Sequence, residues 1–225
     1  MAVDLEVPDH TTISRRSASL VVSLARRTGT GPIDLIIDST GLAIVGKGEW
    51  AAAKHGGGGR RGWKKLHLGV DASGEIVAQA LSDSNVDDGT VGVEIIGDVG
   101  GRLESVTADA AYDTRPIYDA AKAKGAEVVV PPSRKASTSR RERRHGARDQ
   151  TIRRVKEIGR RRWKKESGYH QQGWVENTFL RYKTAIGGRL RARKLDAQET
   201  EATVACNVLN RMRGLGWPSS EKVSR

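Results

Sequence analysis

Tyr169, Gln172, Glu176 and Lys183 stand at offsets of 0, 3, 7 and 14 residues. At 3.6 residues per turn these offsets predict one narrow stripe on a helix over residues 168–186, aiming a carboxylate, a cation, a phenol and an amide at a single target. Two more carboxylates stand where strands are expected to end: Asp38 closes the apolar run Ile33-Asp34-Leu35-Ile36-Ile37, and Asp109 follows Ser105-Val106-Thr107-Ala108. Cutting or transferring a phosphodiester needs a strong nucleophile and neutralised charge on the attacking and leaving oxygens, which two divalent ions about 3.5–4 Å apart supply. Mg²⁺, with Mn²⁺ as a substitute, binds through a few carboxylate oxygens, so Asp38, Asp109 and Glu176 are the candidate metal ligands and catalytic residues. Taken singly, each has a plainer reading: the aspartates as turn or cap residues, and Glu176 as part of a solvated helix face. Asp113 is a rival for the role of Asp109.

Strands and helices to hold these groups are legible along the chain. Residues 33–38 form a continuously apolar strand of the kind buried on both faces of a covered sheet. Residues 65–71 and 75–82 form a hairpin around Asp71-Ala72-Ser73-Gly74. A helix over 87–99, a strand over 104–108, a helix over 115–124 and a strand over 127–130, stopped by Pro131-Pro132, come next in order. A last helix over 197–212 presents Val204, Val208, Leu209 and Met212 as its packing face. The fold class is therefore α/β, a mixed five-stranded sheet flanked by helices. Residues 1–31 read as a leader with helix-capping chemistry at Pro8-Asp9-His10-Thr11-Thr12-Ile13-Ser14 and a short amphipathic helix over 18–27. Residues 32–215 are the main domain, with a basic insertion at 133–166, and residues 216–225 are a tail.

A chain of 225 residues has room for one sizeable core, and its net charge of +12 with a pI near 10.1 predicts a polyanionic partner, nucleic acid first. Most of the excess charge falls between residues 134 and 165, a segment with too few apolar residues for a core of its own, expected to order only on DNA. Arg160, Arg161, Arg162, Lys164 and Lys165 there, with Lys64, Arg181 and Lys183 elsewhere, are the candidate DNA contacts; Tyr169 and Gln172 join them from the stripe. Among the tryptophans, Trp50, Trp63 and Trp174 lie among basic or polar residues, so base stacking competes with packing for each, and Trp63 is the one placed at the DNA. A lone cysteine, Cys206, excludes an internal disulfide and a Cys-based zinc cluster, and no histidine has metal-ligand spacing. The glycine run at 56–59 lacks the Lys-Ser/Thr ending of a phosphate-binding loop and reads as a linker. No apolar run is long enough for a membrane span, so a cytoplasmic, nucleoid-associated protein is expected.

These residues resemble bacterial insertion-sequence transposases of the DDE type, in the branch marked by a Tyr-x2-Arg-x3-Glu-x6-Lys signature and closest to the insertion-sequence-five group. Tyr169, Glu176 and Lys183 match the signature, and the blocks Ile37-Asp38-Ser39-Thr40-Gly41-Leu42, Lys64-Lys65-Leu66-His67-Leu68-Gly69-Val70-Asp71 and Thr107-Ala108-Asp109-Ala110-Ala111-Tyr112-Asp113 are similar to the family's first- and second-aspartate regions. The resemblance implies a ribonuclease-H-like fold, two Mg²⁺ ions bridged by Asp38 and completed by Asp109 and Glu176, double-stranded DNA (transposon ends and target) as partner, and a homo-oligomer when active. Gln172 stands where the signature has Arg, which removes a charge that Arg181 or Arg189 would replace. Family members carry a helical DNA-binding region before the first Asp; here only the leader precedes it, which reads as an N-terminal truncation. The alternative expectation is a catalytically silent DNA-binding remnant that inhibits transposition. A basic RNA-binding protein would explain the charge but not the carboxylates.

Overall fold

The structure, a computed structural model, describes residues 8–17, 19–45, 62–138 and 146–216. Trp50, the glycine run at 56–59 and the arginines at 140–144 lie outside the described residues. A mixed sheet carries the fold: β1 (Ile33–Ile44), β2 (Trp63–Val70), β3 (Ile76–Asp83), β4 (Leu103–Ala108) and β5 (Glu127–Val129) lie in the order β3-β2-β1-β4-β5. β2 and β3 run antiparallel as the expected hairpin, whereas β4 and β5 run parallel with β1. Among the described residues, seven α-helices flank the sheet: α1 (His10–Ser17), α2 (Asp88–Asp98), α3 (Arg115–Ala123), α4 (Ala147–Ile158), α5 (Arg160–Glu166), α6 (Gly173–Ala185) and α7 (Leu195–Gly214).

β1 is apolar on both faces because both faces are covered. Ile33, Leu35 and Ile37 point into a core with Val91, Ile95 and Ile96 of α2 and Ile117 and Ala121 of α3; Ile36 and Leu42 point into a second core with Val175 and Phe179 of α6 and Ala202, Cys206 and Leu209 of α7. Burial on both sides explains the branched run Leu35-Ile36-Ile37.

Three expectations are corrected. β1 does not stop at Asp38 but continues to Ile44, because Leu42 and Ile44 keep facing a core; the extension pairs with a sixth strand, β6 (Arg189–Leu190), so the sheet has six strands rather than five. The helix expected over 18–27 is absent among the described residues: α1 lies earlier, with Asp9 accepting the Thr12 N–H at its start, and the following segment packs on α7 without regular secondary structure. Asn207 satisfies that segment's backbone by accepting the Ala25 N–H and donating to the Ser23 carbonyl, which replaces helical hydrogen bonding. Of the expected packing face of α7 only Leu209 is buried; Val204, Val208 and Met212 are exposed, and Ala202, Ala205 and Cys206 join Leu209, their small size letting the helix approach closely.

The described residues of the basic insertion include two helices, α4 and α5. Ile152 and Trp163 are buried, and Arg148 forms a two-pronged pair with Asp113, Nε to Oδ1 at 2.7 Å and Nη2 to Oδ2 at 2.8 Å. Asp113 also accepts the Ser133 N–H. Its side chain is 0% exposed and that of Arg148 is 19% exposed, so the pair is a desolvated bolt between α4 and the turn after β4. Arg148→Ala strands that buried carboxylate and is expected to lower the unfolding free energy by roughly 3 kcal/mol. Arg102→Ala, at the exposed pair with Glu104, is expected to change it by less than about 0.5 kcal/mol. Urea unfolding followed by circular dichroism checks both, and equal losses would mean that the pair is not a bolt.

Candidate active site

Strand register brings the two aspartates together. Asp34, Ile36 and Asp38 point to the same face of β1, and Asp34 pairs with Ser105, Ile36 with Thr107 and Ile37 with Ala108 of β4. The Ser105 hydroxyl donating to Asp34 at 2.6 Å shows that these β4 side chains share that face. Continuing the register one step past the last pair sets Asp109 beside Asp38. The shared face is the one covered by α6, whose first turn holds Glu176.

The polar contacts leave part of each aspartate free. Asp38 Oδ1 accepts the N–H of Ser39 at 2.8 Å, and Asp109 Oδ1 accepts the Ala111 N–H at 2.8 Å as cap of the short 3₁₀ turn Ala110–Tyr112. Burial first, opposed by the Ser39 hydrogen bond and aided by the charges of Asp109, Glu176 and Asp88, pushes the Asp38 carboxyl up to about 6. Tyr169 feels the same charges: burial first, then Asp109, Asp38 and Glu176, push its phenol up to about 12. Four groups from four parts of the chain thus share one electrostatic centre.

Tyr169 and Gln172 do not lie on the helix that carries Glu176. They form a separate 3₁₀ turn, Tyr169–Gln172, entered through Gly168 in the left-handed region at φ 72°. Gln172, expected at the DNA, is 4% exposed, and its Nε2 donates to the Ile37 carbonyl at 3.3 Å, one residue from Asp38. It therefore ties the turn to β1. Arg181 also turns inward, with Nη2 donating to the Leu209 carbonyl at 3.4 Å, and burial together with Arg213 lowers its proton affinity. Arg160 donates to the Pro132 carbonyl, and Lys64 pairs with Asp83 at 2.8 Å. Lys183, Arg161, Arg162 and Lys165 are exposed, as is Trp63, which lies over Gly41. Lys164 stands over the Tyr169 ring at 4.3 Å from its centroid, and Trp163 contacts the same ring at 6.3 Å. A positive helix, α5, therefore flanks the negative centre.

Asp113, the rival for Asp109, is committed to Arg148 and Ser133. Sequence reasoning missed Asp88, whose charge also acts on Asp38. The one signal for it was the doubled Asp87-Asp88, in which a single aspartate suffices for the cap.

The donor set fits a divalent cation by chemistry: hard carboxylate oxygens held together without an organic cation among them. Among the described residues, no three Asp, Glu, His or Cys groups are yet gathered tightly enough to cage an ion.

Two family models, each described as a transposase DDE domain, match the chain, one over residues 29–211 and the other over residues 1–47. The chain belongs to the DDE transposase family. The six-stranded mixed sheet with its flanking helices is the ribonuclease-H-like fold of that family. At family level the assignment implies DNA binding, transposition-related DNA cleavage and strand transfer, and a general use of divalent metal ions. No described helix is long and apolar enough to cross a membrane.

A raised carboxyl pKa means that folding favours the protonated form of Asp38. Its stabilising contribution is complete below the ordinary value of 3.8 and is lost as pH rises through about 6. In metal-free buffer, Asp38→Asn is therefore expected to be more stable than the unchanged chain at pH 7.5. The gain is on the order of 1 kcal/mol after discount for solvent screening, and it vanishes near pH 4. Thermal unfolding at both pH values checks this, and a destabilised variant at pH 7.5 would refute it.

Proposed function

We propose that the chain is an insertion-sequence transposase, of the insertion-sequence-five group by its signature residues, in which Asp38, Asp109 and Glu176 hold two Mg²⁺ ions for cutting double-stranded DNA at transposon ends and joining it to a target. The observation that carries this reading is the strand register that sets Asp109 beside Asp38 on the face of the sheet covered by α6, whose first turn holds Glu176. Like charges held together on rigid strands and a helix stabilise a bound cation more than they stabilise the protein.

Bound ions would activate water or a 3′ hydroxyl and neutralise the departing oxygen. The chain's own residues do the rest. Asp38 and Asp109 are fixed by strand pairing, and each keeps one oxygen clear of the backbone N–H that holds the other. Glu176 approaches from the first turn of α6, where the helix dipole favours a carboxylate. Tyr169, with its proton held to about 12, acts as hydrogen-bond donor or stacking surface and not as a base. Lys183 lies about 10 Å further along α6 on the same side as Glu176, a distance suited to a neighbouring phosphate. Arg161, Arg162 and Lys165 extend the phosphate-binding surface, with Trp63 exposed at the start of β2 over Gly41.

The second reading is a DNA-binding chain that blocks transposition without cutting, which the exposed Arg161, Arg162 and Lys165 on α5 would serve by themselves.

Supercoiled plasmid incubated with Mn²⁺ is expected to be nicked by the unchanged chain and at least 100-fold more slowly by Glu176→Gln, with DNA affinity equal or higher in the variant. Equal DNA binding with no metal-dependent cutting by either protein would establish the blocking role instead. Neutralising Arg161, Arg162 and Lys165 together is expected to reduce the slope of log affinity against log salt by roughly 2 to 3. A slope unchanged in a salt titration would remove these residues from the DNA surface.

A further inference from the structure

Asp88 is a fourth carboxylate beside the site. Metal-dependent chemistry at Asp38, on which any role for Asp88 rests, does not itself require it. It opens α2, yet the cap is already made: Asp87 accepts the Thr90 N–H at 3.0 Å. Asp88 instead reaches back to the sheet, where its Oδ1 accepts from Lys65 Nζ at 3.1 Å and from the Ser39 hydroxyl at 3.2 Å. Lys65 also donates to the Val86 carbonyl at 2.7 Å, which locks the ammonium at the entry to the helix. His67 is completely buried, and its Nδ1, 3.8 Å from Asp88, has no hydrogen-bond partner. Burial pushes that ring down to about 4, so it is neutral near pH 7 and leaves Lys65 as the cation on Asp88.

Ser39 connects this cluster to the site. Its N–H holds one oxygen of Asp38 on one face of β1, while its hydroxyl is held by Asp88 on the other. We infer that Asp88 is a positioning residue that acts through Ser39 to fix the Asp38 carboxylate, leaving the second Asp38 oxygen oriented for a cation. Groups behind metal ligands typically change metal affinity 10–100-fold, and one backbone-relayed contact belongs at the lower end.

The test is Mn²⁺ binding by calorimetry to the whole chain without DNA, with thermal unfolding recorded for every variant. Ser39→Ala and Asp88→Ala are each expected to weaken Mn²⁺ binding about tenfold. The double variant is expected to be no weaker than either single one, because both remove the same link. Asp88→Asn keeps an oxygen acceptor for Ser39 and is expected to stay within about threefold of the unchanged chain. Unaltered affinity in the alanine variants, losses that multiply in the double variant, or an Asn variant as weak as Ala would each overturn the inference. Should Asp88→Ala fail to fold, the near-isosteric Ser39→Ala decides alone: unaltered affinity overturns the inference. An unchanged chain that binds no Mn²⁺ would overturn the metal reading itself, and the role of Asp88 with it.

Discussion

Parallel pairing of β1 with β4, with Ile36 opposite Thr107 and Ile37 opposite Ala108, is the constraint from which the candidate site arises. A slip of one residue would turn every side chain of a strand to the other face and separate the two aspartates by the thickness of the sheet. The slip is prevented by burial: Leu35, Ile36, Ile37, Val106 and Ala108 are completely enclosed, so any shift would carry apolar groups out of two cores at once. Hydrophobic packing thus holds a pair of carboxylates in a place that electrostatics alone would not choose. Gln172, bonded to the Ile37 carbonyl, brings the turn before α6 to the same point of β1, and with it Glu176.

The polar groups around that frame divide into two kinds. Asp113 with Arg148, and Asp71 with Arg27, are carboxylates whose charge is matched by a guanidinium at 2.7 Å and 3.0 Å. Asp38 has no such partner among the described residues, and burial first, with the charges of Asp109, Glu176 and Asp88, opposes its ionisation. Natural folds tolerate local instability of this kind where function requires it, and the surrounding packing carries the cost. The cations near the centre stand one layer out, with Lys164 over the Tyr169 ring and the exposed Arg161, Arg162 and Lys165 on α5, which suits a polyanion crossing the rim rather than a salt bridge inside it.

What could be read directly from the residues was whatever local pattern determines. Apolar runs located the strands, the Asp71-Ala72-Ser73-Gly74 turn located the hairpin, and Asp38, Asp109 and Glu176 were visible because each stands next to such a signal. Patterns broke down where tertiary contacts decide. The end of β1 was hidden because Ser39 and Gly41 are weak strand formers that pairing with β2 overrides. The stripe from Tyr169 to Lys183 concealed a break, because a 3₁₀ turn followed by an α-helix keeps nearly the same spacing as one helix. The described part of the basic insertion looked coreless because its anchors, Ile152, Trp163 and Arg148, find their partners on distant elements. Asp88 was illegible for the same reason: its contacts come from β1 and β2, far from it in the chain.

The claim that Asp38, Asp109 and Glu176 form a cation-receptive centre is tested most directly by thermal unfolding of the unchanged chain and of Asp109→Asn across a Mn²⁺ titration, without DNA. A midpoint that climbs with Mn²⁺ in the unchanged chain, as binding to the native state requires, and stays flat in Asp109→Asn is the expected result. A midpoint that ignores Mn²⁺ in the unchanged chain, or climbs equally in both proteins, would contradict it.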